Sequence, residues 1–199
     1  MESIVFTDAD YSNIRCDEKG VDRDWSDELL KTIRARIKSH YIEQQGSVCP
    51  YCDRHQGTEN HRVWDIDHVV PRSTHPAFTF EPRNLVASCP DCNVAKGDAS
   101  VLVNSKRKTY PAKAEAFNII HPHFDAYDDH IAHSGHVYVG KTVKGKKTIY
   151  QCDLLRFAQK YIDWSTPLAD DRFETEVEAI VRGEAGADSL IDGLRDELG

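Results

Sequence analysis

Two Cys-x-x-Cys pairs, Cys49-Pro-Tyr-Cys52 and Cys89-Pro-Asp-Cys92, bracket an Asp–His step, Asp67-His68. Each pair sets two thiols on one side of a tight bend. Two such bends complete a tetrahedral four-cysteine site with no open position, which is the chemistry of a structural zinc ion. Dithiol redox chemistry is the competing reading, and two copies outside a thioredoxin-like context speak against it. His55, His61 or His75 could also replace one thiolate. The remaining cysteines, Cys16 and Cys152, read as small buried residues. For His68 the residue type alone leaves three roles open: a residue closing a strand, a metal ligand, or a base. An unperturbed imidazole titrates near pH ~6.5, so much of it can accept a proton at neutral pH.

The elements that must position these groups follow from pattern. Residues 26–45 read as one helix, with Ser26 as N-cap, Asp27 and Glu28 in the first turn, and Gly46 as its end. Leu29 or Leu30, Ile33, Ile37 and Tyr41 recur at helical spacing, and Lys31, Arg34, Arg36 and Lys38 form a basic face, solvated or phosphate-facing, with solvation the expectation. Residues 63–70 suit a strand, and prolines 71, 76 and 82 make 71–83 an irregular loop. From Asn84 a helical or compact segment leads into Cys89. The 36 residues between Cys52 and Cys89 exceed a zinc-ribbon spacing, so the cage holds both ends of a longer segment. Ala112–Ile120 suits a helix or a strand, and 121–131 a His-rich loop. Residues 136–152 alternate like a hairpin with a Lys-Gly-Lys tip, and helices are expected over Leu154–Ile162 and 171–182.

Composition is that of an ordinary globular chain, 40% hydrophobic and 29% charged over 199 residues. No apolar run approaches the ~20 residues of a membrane span, and the start, Met-Glu-Ser-Ile-Val-Phe, lacks a basic-then-apolar leader. A cytoplasmic protein is expected. Residues 163–199 hold eleven acids against three arginines, which accounts for the whole formal charge of −8. The neutral remainder has two local basic clusters, Lys106-Arg107-Lys108 with Lys113, and Lys141 to Lys147, best read as a solvated loop and a hairpin tip.

The ordered series "DIDHVVP" (65–71), "NL" (84–85) and "CPDCNVAKG" (89–97) resembles the HNH endonuclease family. The resemblance covers residues 46–98 and implies an α+β fold: a ββα-metal core stapled by Cys49, Cys52, Cys89 and Cys92, with flanking helices and a C-terminal hairpin-plus-helix extension. It implies a segmentation into residues 1–45, a nuclease core over 46–110, and an extension over 111–199 suited to docking a partner. By the same resemblance, His68 is the general base, and Asp67 with Asn93 holds Mg²⁺ or Mn²⁺. Asn84 fixes the loop that orients the histidine, and Lys96 binds or polarises a phosphate oxygen. Arg72 and Arg83 are candidate contacts to a nucleic-acid backbone, whereas Asp65 is expected to be structural or solvent-facing.

"FNIIHPHFDAYDDHI" followed by "KGKKTIYQCDLL" is similar to the C-terminal parts of PtuB-like HNH proteins of Septu and retron anti-phage systems, which accompany an ATPase. That implies a DNA-cutting effector with an ATPase partner. The alternatives are a stand-alone restriction or mobile-element nuclease, and a zinc-stabilised binding module with no catalysis, which would need none of Asp67, His68 and Asn93. His121, His123 and Asp125 also form a candidate second metal site, outside the motif.

Overall fold

Helix α2 (Lys31–Gln44) starts later than its sequence pattern suggests, and another residue caps its entry. A 3-10 turn, Glu28–Leu30, leads in, with the Asp27 carboxylate accepting from the Leu29 amide at 2.9 Å. Ser26 is instead bonded to the carboxylate of Asp24. The computed structural model describes residues 1–15 and 22–159; Cys16, the acidic stretch 163–199 and the expected helix over 171–182 lie outside the described residues. Within the expected 154–162 helix, the described part is a short α5 (Arg156–Gln159).

Ile33, Ile37, Tyr41 and Ile42 form the buried face of α2. Its basic face is not simply solvated, which corrects the expectation. Arg34 donates to the carbonyls of Trp25 and Asp27, Arg36 pairs with Asp10 on helix α1 (Asp8–Ile14), and Lys38 donates to the carbonyls of His61 and Trp64. Three of the four cations therefore tie α2 to neighbouring backbone or to α1. Gly46 and Ser47, both in the left-handed region (φ 58° and 59°), end the helix.

Strands β1 (Asp65–His68) and β2 (Leu85–Ser88) pair antiparallel, with Asp65 opposite Ser88 and His68 opposite Leu85. The strand β2 replaces the helical or compact segment expected after Asn84. Every one of its residues is buried, so Leu-Val-Ala-Ser shows no alternation, and periodicity cannot tell so short an apolar run from a helix. Helix α2 packs across both strands. Gln45 finishes the outer edge of β2: its Oε1 accepts from the Ala87 amide and its Nε2 donates to the Ala87 carbonyl. Helix α3 (Pro90–Lys96) follows directly and packs on β1. Strand, strand and helix thus form a ββα unit inside an α+β chain.

The C-terminal hairpin is real but shifted. Strands β3 (Ile131–Ser134) and β4 (Val137–Gly140) turn at Gly135-His136, and Lys144-Gly145-Lys146-Lys147 lies in helix α4 (Val143–Gln151), capped by Thr142. Gly145 serves close packing rather than a turn: a Cβ there would meet the His130 carbonyl oxygen at 1.9 Å. We expect Gly145→Ala to lower stability by about 1–3 kcal/mol, the usual cost of forcing atoms into packed space. An unchanged denaturant midpoint would contradict this packing. Residues 112–120 hold one 3-10 turn (Ala114–Ala116) and a bridge between Leu102 and Phe117, in place of a continuous element.

The His-rich stretch is a packing joint. His121 is fully buried, its ring stacked on Phe124, with Nδ1 accepting from the His123 amide at 3.2 Å and Nε2 2.8 Å from the Tyr110 hydroxyl. Tyr110 in turn donates to the Arg83 carbonyl. His123 bonds the Leu85 carbonyl, and Asp125 is taken by Lys144, His130 and the His121 amide. Among the described residues the cysteine cluster is the one group of three or more His, Cys, Asp or Glu side chains whose ligand atoms converge, which removes the second-site expectation for His121, His123 and Asp125. Burial, reinforced by His123 and Lys144, pushes His121 down to about 2. The folded chain therefore refuses a proton that the unfolded chain accepts near pH ~6.5, so this stabilisation is intact above that pH and lost as pH falls. Lowering the pH from about 6.5 to about 5 should cost about 2 kcal/mol through this group, visible in the thermal midpoint. A His121→Gln variant should lose that part of the slope; an identical slope would contradict the assignment.

Candidate active site and metal centre

The four-cysteine cage joins three pieces of backbone. Cys49 and Cys52 sit on a turn closed by the Asp53 amide donating to the Cys49 carbonyl, with Asp53 in the left-handed region. Cys89 caps α3 at the end of β2, and Cys92 lies in the first turns of α3. All four thiols are buried, and their sulfurs lie within 4.8 Å of one another. The Cys89 amide points at Cys49 Sγ (3.4 Å), and Arg156 donates to Cys92 Sγ at 3.2 Å. Burial pushes the Cys49 thiol well above its ordinary range, so a thiolate there needs a cation beside it. Four soft donors, closed to solvent and aided by N–H groups aimed at sulfur, fit zinc. Cys152 is buried, as expected of a packing residue. His55, His61 and His75 are not part of the cage: their rings bond the Gly57 amide, Ser39, and Thr74 with the Ser105 carbonyl.

The extension rests on this knuckle. The hydroxyls of Tyr127 and Tyr138 donate to the carbonyls of Tyr51 and Cys52, His133 meets Asp53 at 3.0 Å, and Arg54 donates to the Gly135 carbonyl.

Strand β1 delivers Asp67 and His68 at its end. Asp67 is 4% exposed and held from two sides: Tyr51, between the two cage cysteines, donates to Oδ2 at 2.5 Å, and Lys96 lies 3.1 Å from Oδ1. Burial and the facing carboxylate hold the Tyr51 phenol well above its usual range, so the proton stays on tyrosine. Lys96 is itself 2% exposed and also donates to the His68 carbonyl. The expected phosphate contact differs from this placement, in which the ammonium braces the strand end from within. A buried pair of this kind costs desolvation and fixes geometry more than it adds stability.

His68 Nε2 lies 3.2 Å from the Thr79 carbonyl, an acceptor only, which requires the Nε2–H tautomer and leaves Nδ1 with its lone pair. Trp25 abuts the ring in a T-shaped contact, 4.6 Å between centroids. Burial, with the Arg72 and Lys96 charges and against the pull of Asp67, pushes His68 down to about 4. The imidazole is neutral at pH ~7.

Asn84 builds the loop around that ring. Fully buried, it accepts from the Val70 amide at 2.7 Å and donates to the carbonyls of Val70 and Phe78. Phe78 precedes Thr79, so the amide that closes the loop also sets the carbonyl that holds His68. Replacing Asn84 by alanine leaves the Val70 amide and carbonyl unpaired, each worth about 1–3 kcal/mol, while the Phe78 carbonyl keeps the Glu81 amide. We expect a loss of at least about 2 kcal/mol in denaturant unfolding; a loss below about 1 kcal/mol would show that the loop closes without it.

On α3, Asn93 donates its amide nitrogen to Asp65 Oδ2 at 3.0 Å, which leaves its carbonyl oxygen as the donor atom for an ion. Asp65 therefore orients Asn93, a structural task as expected. Asp67, His68, Asn93 and Lys96 line one cleft of about 260 Å³ with Trp25 and Arg72. Tyr51 and Lys96 each engage one oxygen of Asp67, so each oxygen keeps a lone pair. Two hard oxygens in one cleft suit Mg²⁺ or Mn²⁺. Arg72 is exposed at the lip, whereas Arg83 is held by Glu81 at 2.8 Å.

Residues 49–99 match the family model for HNH endonuclease. That segment is similar to an HNH domain. Within it the order of motif residues and the ββα geometry agree, from Asp67-His68 on the first strand through Asn84 to Asn93 on the helix. Over 113 residues the chain is 31% identical to Septu protein PtuB of Bacillus thuringiensis, covering 57% of this chain and 38% of that protein. It is 34% identical over 84 residues to protein ea31 of Escherichia phage lambda, covering 42% of this chain and 23% of that one. The chain thus spans well under half the length of either relative. No solved structure matches. Tyr51 and Trp25, which touch Asp67 and His68, had no motif signal. Tyr51 lies at one of the two positions that the Cys-x-x-Cys pattern leaves unspecified, and Trp25 precedes the matched segment by more than twenty residues.

Proposed function

We propose that this chain is a metal-dependent endonuclease that hydrolyses DNA phosphodiester bonds, acting in the cytoplasm as the nuclease effector of an anti-phage complex. The observation that carries it is His68: neutral, tautomer set by Thr79, and sharing a cleft with two hard oxygen donors. Asp67 and Asn93 would hold Mg²⁺ or Mn²⁺, which supplies charge neutralisation at the phosphoryl oxygens. His68 Nδ1 takes a proton from the water whose oxygen attacks phosphorus; the P–O bond to the leaving sugar breaks, and that oxygen is protonated from solvent. Arg72 at the lip holds a neighbouring phosphate. Zinc, held by Cys49, Cys52, Cys89 and Cys92, is structural. Among the described residues no helix is long and apolar enough to cross a membrane.

The effector role, and with it an ATPase partner, is supported by the resemblance to PtuB-like proteins and the identity with Septu protein PtuB. Duplex DNA, single-stranded DNA and RNA of one sequence, incubated with Mg²⁺ or Mn²⁺ and with or without the proposed ATPase partner, test both parts. DNA cleavage that the ATPase stimulates is the expected result. Cleavage of RNA alone overturns the substrate, and DNA cleavage indifferent to the ATPase overturns the effector role.

A further inference from the structure

The two metal centres read from this sequence are joined by one side chain. Tyr51 is fully buried and sits between Cys49 and Cys52, so its backbone is fixed by the cage. Its hydroxyl donates to Asp67 Oδ2 at 2.5 Å, and its carbonyl accepts from Tyr127 at 3.1 Å, which pins the same residue to the C-terminal extension. The opposite oxygen of Asp67 faces Lys96, which is anchored in turn on the His68 carbonyl. A carboxylate gripped on both oxygens presents its remaining lone pairs in one orientation only. The tyrosine grip therefore depends on the fold of the same turn that carries Cys49 and Cys52.

Resting on the assignment of Asp67 as an ion ligand, we propose that Tyr51 is a positioning residue that couples the four-cysteine zinc cage to the divalent-ion site by fixing the Asp67 carboxylate. Zinc occupancy then sets affinity for the second ion, and by linkage the second ion stabilises the cage. Partners that orient a ligating carboxylate typically change metal affinity by about 10–100-fold when removed.

Calorimetric titration of Mn²⁺ into the full, zinc-loaded chain reads this without turnover. Tyr51→Phe keeps the ring and removes only the hydroxyl; it should retain zinc and bind Mn²⁺ at least about tenfold more weakly. Unchanged Mn²⁺ affinity in folded, zinc-loaded Tyr51→Phe overturns the coupling. Asp67→Asn in parallel separates the two readings: if it leaves Mn²⁺ affinity unchanged, Asp67 is not a ligand and the underlying assignment falls. If it weakens binding while Tyr51→Phe does not, only the coupling falls. A second measurement needs no change at Tyr51. Zinc release from the wild-type chain to 4-(2-pyridylazo)resorcinol should slow at saturating Mg²⁺, and should not slow in Asp67→Asn. Release at one rate with and without Mg²⁺ in the wild-type chain overturns the proposal even if Tyr51→Phe fails to fold.

Discussion

Cys89→Ser should release zinc and unfold the segment between residues 46 and 98. Cys89 ends β2, caps α3 and presents its amide to Cys49, so one sulfur joins three parts of the core. The apparent binding energy of a structural zinc is about 10–16 kcal/mol, comparable with the whole stability of a domain at about 5–15 kcal/mol. Three buried thiols without their fourth partner cannot all ionise, and the protonated forms have no attraction for one another. The sheet of the ββα unit is only two strands of four residues, so the cage carries a large share of what holds the unit together. The expected result is loss of bound zinc and of the cooperative thermal transition; a variant that melts at the wild-type midpoint without zinc would contradict a structural cage. Asp67 and His68 lie inside that segment, so DNA cleavage should disappear with the transition.

His68→Ala should leave the fold and abolish most of the cleavage. A positioned general base contributes about 10²–10⁴-fold, and among the described residues no second imidazole lines the cleft to replace it. The ring also fills space against Trp25, so some stability goes with it. His68→Gln, which refills most of the volume without a base of suitable strength, keeps the two effects apart. Both variants should bind zinc fully and cleave at least about a hundredfold more slowly. A variant that cuts within a few-fold of wild type would remove His68 from the chemistry, whatever its geometry.

The cage and the motif residues were legible because their chemistry demands residue types at set spacings: two thiols separated by two residues, an acid next to a histidine, an asparagine one residue after the last cysteine. The elements between them were less so. Strand β2 is buried on both faces and offers no alternation to read. Gly145 looked like a turn glycine, but its lack of a side chain answers the His130 carbonyl, a contact between positions fifteen residues apart in sequence. The basic face of α2 looked solvated because cations usually are, whereas Arg34 and Lys38 are used on carbonyls contributed by other segments. His121 and His123 looked like ligands by composition, yet each ring is satisfied by neighbours that only the tertiary fold brings near. Lys96 illustrates the same limit inside the motif: one helical turn from Asn93 it belongs to the site, and only the packing shows it facing Asp67. Tyr51 and Trp25 reach the site through the fold, so no local pattern announces them.

The measurement that tests the central claim most directly is cleavage of supercoiled plasmid by the zinc-loaded chain, with Mg²⁺ or Mn²⁺ either added or left out. Omitting the ion is preferable to adding a chelator, which would strip the cage as well. The account predicts relaxed or linear plasmid only when the ion is present, alone or once the ATPase is supplied. Intact plasmid under every one of those conditions, or equal cleavage without the ion, would contradict it.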